Sequence, residues 1–211
     1  MLFDLDGTLI DSSLLHARAF KSVIRESLPE MADAFEYDLV RGKTTVEVFR
    51  ELGVAEGDRV QTLAAQKQNE YRASVERGEL VCMEGAKELL SWLKGQGIGV
   101  HLVTGSSKRS VSVALESTGL KSFFDVTVTA DDIERGKPAP EPYALCVRLI
   151  DGDPSGCFAV EDAISGVESA HAAGIQAIGV FDRQIEDAAD FWFSSLTALH
   201  TSFRHAAEVM S

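Results

Sequence analysis

Two carboxylates, Asp4 and Asp6, stand two residues apart in MLFDLDGTLIDSS, where Leu2, Phe3 and Leu5 read as a buried strand. Three further groups of chemistry-bearing residues follow other apolar runs. Thr104, Gly105 and Ser106 come after GVHLV, Lys137 stands in ERGKPAPEPY, and Glu161 and Asp162 come after CFAV. Clustered Asp and Glu oxygens make a hard site of the kind Mg²⁺ takes, with waters and phosphate completing its shell. Thr104 and the backbone N–H groups that open the following helix offer a phosphate cradle. Lys137 can neutralise charge on a phosphoryl group and keep a nucleophile ionised. A carboxylate can attack phosphorus to form an aspartyl phosphate that water later hydrolyses, with a second carboxylate as general acid and base. Asp4 and Asp6 can divide those two roles, and the chemistry the set suits is phosphoryl transfer.

These residues need elements that bring them to one place. From residue 84 onward, short apolar runs alternate with amphipathic helical patterns. Helices are expected over about 84–94, 107–118, PEPYALCVRLI and AISGVESAHAA, and strands at GVHLVT, DVTVT, CFAVE and IQAIGV. Such alternation implies βαβ units and a parallel sheet. The strand at 2–5 is expected to join that sheet. Residues 13–77 are helical by contrast, with patterns at 13–28, about 33–41, 44–53 and 57–77; Pro29 breaks the first and Gly78 ends the last. Asp11 is expected to cap the first helix, with Ser12 or Ser13 as alternatives. The predicted architecture is an α/β fold, a doubly wound, Rossmann-like parallel-sheet core (residues 1–12 and 81–211) carrying an inserted α-helical cap (residues 13–80). Ligands bind beyond the carboxyl ends of strands in such sheets, which is where the acids, hydroxyls and lysine fall.

Taken together, FDLDGTLIDS, LVTGSS, GKPAPEPY and AVEDAISGV resemble the four signatures of the haloacid dehalogenase-like (HAD) superfamily. They occur in family order, with a helical insertion where the C1 cap belongs, as in the β-phosphoglucomutase/phosphoglycolate phosphatase-like branch. The resemblance implies Asp4 as nucleophile and Mg²⁺ ligand, and Asp6 as general acid/base whose backbone carbonyl also touches the metal. It implies Thr104, Gly105 and Ser106 as the phosphate site and Lys137 as partner of Asp4 and the phosphate. It implies Asp162 as a Mg²⁺ ligand, with Glu161 a ligand or an outer partner through water. The second acid, Asp6, is absent from the carbon–halogen-cleaving branch, so its presence resembles the phosphate-handling members. In the insertion, His16, Arg41 and Lys43 are candidates for contact with the substrate. Mutase members carry an Arg three residues after the Gly of this segment, and here that position is Thr45.

Other features carry bland readings. GKTT at 42–45 lacks the preceding Gly of a P-loop, position 37 being Tyr, and GQGIG precedes its strand where a dinucleotide fingerprint would follow one. His101 reads as structural; His171, His200 and His205 carry no motif. The three cysteines have no metal-like spacing and fit a reducing cytosol. Acids outnumber bases 33 to 20, a net charge of −13 that disfavours nucleic acid or an anionic membrane as partner. No apolar run approaches a membrane span. The expectation is a cytoplasmic, Mg²⁺-dependent phosphatase of a small phosphorylated metabolite, with a monomer favoured. A phosphosugar mutase on the same fold and a non-catalytic phosphate- or partner-binding module are the alternatives.

Overall fold

The computed structural model describes residues 1–40, 43–55 and 57–210. Its main sheet has six parallel strands. They are β1 (Leu2–Phe3), β4 (His101–Val103), β5 (Val126–Val128), β6 (Phe158–Glu161), β7 (Gln176–Val180) and β8 (Phe191–Phe193). Their order across the sheet is β5-β4-β1-β6-β7-β8. The chain winds outward from β1 in one direction through β4 and β5, then returns to its other side through β6, β7 and β8. The reversal puts a crevice at the carboxyl end of β1, between β4 and β6. Asp4, Thr104 and Glu161 stand at the ends of those three strands.

A two-residue strand holds this central position because it pairs on both sides. Leu2 is opposite His101 and Ala159, and Phe3 is opposite Leu102 and Val160. Its side chains alternate across the sheet, as the strand period requires. Phe3 joins a core with Leu89, Leu93, Leu115 and Leu199; Leu2 joins another with Tyr143, Ala159 and Val167. The first core draws on α4 (Ala86–Gly95), α5 (Lys108–Thr118) and α8 (Leu196–Met210), the second on α6 (Glu141–Leu149) and α7 (Ile164–Ala172). Both residues are fully buried, each contributing about 1.5–3 kcal/mol.

Between β1 and α4 the chain forms a short antiparallel ribbon and three helices. β2 (Ile10–Asp11) pairs with β3 (Val81–Cys82), so the ends of the helical segment meet side by side. The helices are α1 (Ser13–Ser27), α2 (Thr45–Glu51) and α3 (Asp58–Glu76). Phe20, Ile24, Phe35, Phe49, Val60 and Leu63 form a third apolar cluster among them. A capping box starts α2: Glu47 N–H donates to Thr44 Oγ1, and Thr44 N–H donates to Glu47 Oε2.

Several expectations are corrected. Residues 33–40 do not form an α-helix; Tyr37–Val40 is a single 3₁₀ turn, too short a pattern to nucleate a helix between Pro29 and the Thr44 cap, and the last residue of the expected helix, 41, lies outside the described residues. Asp11 caps nothing, because it is exposed on the ribbon opposite Val81. Ser12 occupies the N-cap position of α1, yet its side chain makes no capping bond. β8 and α8 lie beyond the last element that the apolar pattern marks. All three cysteines are free thiols. Among the described residues no helix is long and apolar enough to cross a membrane.

Candidate active site

The site begins where β1 leaves the ladder. The Asp4 N–H still donates to Val160 O at 3.0 Å; then the chain curls, with Gly7 N–H donating to Ile10 O and Leu9 N–H to Leu5 O. Gly7 has φ +92°, and a Cβ there would overlap the Asp162 carboxylate. The curl abolishes the alternation that would send Asp4 and Asp6 to opposite faces. Both line one cavity with Thr104, Gly105, Ser106, Lys137, Glu161 and Asp162.

Lys137 is the cation that two of the buried acids share. Its Nζ donates to Asp4 Oδ1 (2.7 Å), Glu161 Oε1 (2.5 Å) and Val103 O (3.0 Å). Burial disfavours its charge, but Asp4 and Glu161 outweigh burial and hold its pKa above the usual lysine value. Asp4 has the opposite balance: burial, with Glu161 and Asp6 adding to it, defeats Lys137 and pushes its carboxyl up to about 7. Burial also raises Glu161, against Lys137 and the Tyr143 hydroxyl that donates to it. Asp4, Glu161 and Asp162 each offer an oxygen within 4.8 Å of the others, and all three are buried. A Cβ on Gly166 would overlap Glu161, as one on Gly7 would Asp162, so two glycines let the acids approach. Three buried carboxylates whose oxygens converge make a donor set that fits a hard divalent cation.

Asp6 faces a different environment. Ser12 Oγ (2.6 Å) and Ser106 Oγ (2.7 Å) donate to it, and His16 Nε2 lies 3.0 Å from its Oδ1. Burial favours its neutral form, but His16, Ser12 and Ser106 prevail and hold its pKa well below the ordinary carboxylate range. The Asp6 carboxylate is therefore not part of the acidic trio. Thr104 Oγ1 accepts from the Ser106 N–H at 3.1 Å, which folds the loop before α5 around the cavity.

His16, on α1, is buried and stacked on Tyr71, with ring centroids 4.1 Å apart. Its Nδ1 lies 2.5 Å from Lys67 Nζ. With Lys67 as donor, Nδ1 accepts and Nε2 carries the proton given to Asp6. Burial and Lys67 together lower the His16 pKa, although Asp6 opposes them. Lys43 reaches the cavity wall, but its ammonium is held by both Glu51 oxygens, at 2.6 and 2.8 Å. Arg41 lies outside the described residues.

Lys67, Ser12, Tyr143 and Thr45 are among the site residues that sequence reasoning missed. For Lys67 a signal existed. Val60, Leu63, Ala64, Lys67, Tyr71 and Val75 form a buried stripe along α3, and Lys67 takes a place on it where the helical period asks for an apolar residue.

Burial brings the Lys67 pKa down to about 7, against the pull of Asp6. The unfolded chain then holds this proton more tightly than the folded one between about pH 7 and 10.5, so stability rises with pH through that window: the group's cost is largest below pH 7, where the charged form must be buried, and fades toward pH 10.5. Lys67→Met should therefore have its greatest advantage over wild type at or below pH 7 and lose ground as pH rises, by about 1.4 kcal/mol for each pH unit between 7 and 10.5. Urea denaturation at pH 7 and pH 9 checks this: the difference between variant and wild type should move in favour of the wild type at the higher pH, and a constant difference would contradict it.

A model of the haloacid dehalogenase-like hydrolases matches residues 1–180. Hexitol phosphatase A of Escherichia coli (strain K12) is 36% identical over 184 residues, covering 85% of this chain and 81% of the relative. Validoxylamine A 7′-phosphate phosphatase of Streptomyces hygroscopicus subsp. limoneus is 31% identical over 179 residues, covering 85% and 84%. Among solved structures, CbbY from Rhodobacter sphaeroides in complex with phosphate superposes with a TM-score of 0.78 at 27% identity, covering 94% of each chain.

Proposed function

The chain belongs to the haloacid dehalogenase-like hydrolases, and on that premise we propose that it is a Mg²⁺-dependent phosphatase of small phosphorylated metabolites acting through an aspartyl phosphate on Asp4. The observation that carries this reading is the Asp4–Lys137–Glu161 contact beside Asp162, with a second acid, Asp6, on the same cavity. The phosphatase names of the two curated relatives support it.

Lys137 engages Asp4 Oδ1 and leaves Oδ2 to attack phosphorus. The Asp4 Oδ2–P bond forms as the P–O ester bond breaks, and the departing alkoxide takes a proton from Asp6, which its donors keep ionised in the unliganded site and which must therefore acquire that proton when substrate binds. Ionised Asp6 then accepts a proton from the water that attacks the phosphoryl group, and inorganic phosphate leaves Asp4 as a free carboxylate. His16 and Ser106 position Asp6 for these transfers, while Thr104, Gly105 and Ser106 bind the phosphoryl oxygens. Asp4 and Asp162, with Glu161 and the Asp6 carbonyl, would hold Mg²⁺, which when bound neutralises charge on the transferred group. The helical segment 13–80 acts as a cap that excludes bulk water, with His16 and Lys43 at its inner wall and Arg41 beside them in sequence.

The test is phosphate release from a panel of phosphate esters with and without Mg²⁺. Release that depends on added Mg²⁺ and stops on chelation is expected. β-Glucose 1-phosphate converted to glucose 6-phosphate without free phosphate would replace hydrolysis by a mutase reaction. Failure on every ester by folded, Mg²⁺-loaded protein would favour a binding module.

A further inference from the structure

We infer that the Thr45 hydroxyl is the donor that reads the leaving group, and that Gln68 aims it, so that the preferred ester has a neutral, hydroxyl-bearing leaving group. The inference rests on the phosphatase reading above. Thr45 opens α2 and lines the same cavity as Asp4 and Asp6. Gln68 Nε2 donates to Thr45 Oγ1 at 2.8 Å, and Ser110 Oγ donates to Gln68 Oε1 at 2.7 Å. Ser110 Oγ in turn receives Ser107 Oγ at 3.1 Å and, at a longer 3.4 Å, Arg72 Nη1.

A guanidinium only donates, so the direction of this chain is set at the Arg72 end. Ser110 accepts and passes its own proton to Gln68, whose amide N–H then faces Thr45. Thr45 Oγ1 is thereby used as an acceptor within the protein. Its own proton has no acceptor among the described residues and is left for a ligand oxygen.

The chain of bonds also crosses between two parts of the fold. Thr45, Gln68 and Arg72 belong to α2 and α3, whereas Ser107 and Ser110 stand at the start of α5, directly after the Thr104–Ser106 loop. Thr45 is therefore aimed only while the helical segment rests on the core, which ties recognition of the leaving group to closure. The adjoining outer cavity carries Asp38, Asp162, Glu168 and Asp182 on its wall against Lys43, whose charge is already paired with Glu51. That field disfavours a leaving group with a second anionic charge.

The test is steady-state kinetics of wild type, Thr45→Val, Gln68→Glu and the double variant on three probes: sorbitol 6-phosphate, p-nitrophenyl phosphate and pyrophosphate. In Gln68→Glu, the new carboxylate would accept from both Ser110 and Thr45, turning the Thr45 proton away from the cavity by the exchange of one atom. Each single variant should lower the ratio of kcat/KM for sorbitol 6-phosphate over p-nitrophenyl phosphate about ten-fold, chiefly through KM. The double variant should fall no further, because both changes remove one contact. Pyrophosphate should be the poorest substrate of the wild type. An unchanged ratio, additive losses, or preference for pyrophosphate would overturn the inference and leave the phosphatase reading standing. Wild type inert toward all three probes with Mg²⁺ present would overturn the phosphatase reading itself and this inference with it.

Discussion

Asp4→Asn should lower turnover by about four orders of magnitude or more, because an amide cannot serve as the attacking oxyanion, and should at the same time make the metal-free protein more stable. The second half follows from the crowding of the site. Asp4, Glu161 and Asp162 are buried together, and the Lys137 ammonium is shared by the first two. Burial and its acidic neighbours raise the Asp4 carboxyl to about 7 from an ordinary value near 3.8. The folded chain therefore binds this proton more tightly than the unfolded chain, so stability falls as pH rises through that window. Asparagine removes the charge while its side-chain oxygen can still accept from Lys137. In chelator, the variant should match wild type near pH 4 and exceed it by about 1–3 kcal/mol at pH 7 and above. Adding Mg²⁺ should close the gap, because only the wild type regains a full carboxylate ligand. Calorimetry across pH, with phosphate release on the same samples, checks both halves. A variant less stable than wild type in chelator would show that the carboxylate is a net stabiliser and that the site is not strained by its charges.

Lys137→Met should be the reverse case, losing both turnover and stability. Its Nζ is the donor shared by Asp4, Glu161 and the Val103 carbonyl. Removing it leaves two buried carboxylates without their cation, a change that costs about 3–5 kcal/mol when one partner of a buried pair is deleted. The carboxylates respond by protonating, so their folded-state pKa values rise further. The stability deficit against wild type should then shrink as pH falls from about 8 to about 5, where the acids are neutral in the fold. Mg²⁺ should recover part of the stability at the higher pH, since it also neutralises the acids, but not the turnover, since it cannot replace the ammonium beside Asp4 Oδ1. Urea titrations at both pH values, with and without Mg²⁺, distinguish these outcomes. A deficit independent of pH would assign the loss to packing against Tyr143, over whose ring Lys137 Nζ sits at 5.3 Å.

The paired losses and gains reflect one property of the site: its charges are arranged for a ligand that the protein alone does not supply. Asp4 and Lys67 are both shifted by burial toward neutrality, and both line the cavity. Such groups lower stability in exchange for reactivity, which is why substitutions there are expected to separate the two.

Local order along the chain was enough for the parallel sheet, the placement of helices over most of the chain, and the four strand-end groups. Each of these rests on a short-range signal: a two-residue strand alternation, a 3.6-residue helical period, a Gly or Pro at a boundary. Asp4, Thr104, Glu161 and Asp162 were legible for the same reason, since a polar residue ending an apolar strand in a doubly wound sheet can stand in few places; Lys137, in the loop between β5 and α6, was legible through the GKPAPEPY signature. What surrounds them came only with the packing of the elements. Lys67 meets His16 across 51 residues, and Ser110 meets Gln68 across 42. Neither separation has a period that a sequence displays, because these contacts exist only after α1 and α3 have stacked and α3 has come down on α5. The same holds for Ser12, which local rules assign to a helix cap and which the fold turns toward Asp6. As a donor to a buried, charged carboxylate that hydroxyl makes a stronger bond than it would by accepting from a helix N–H.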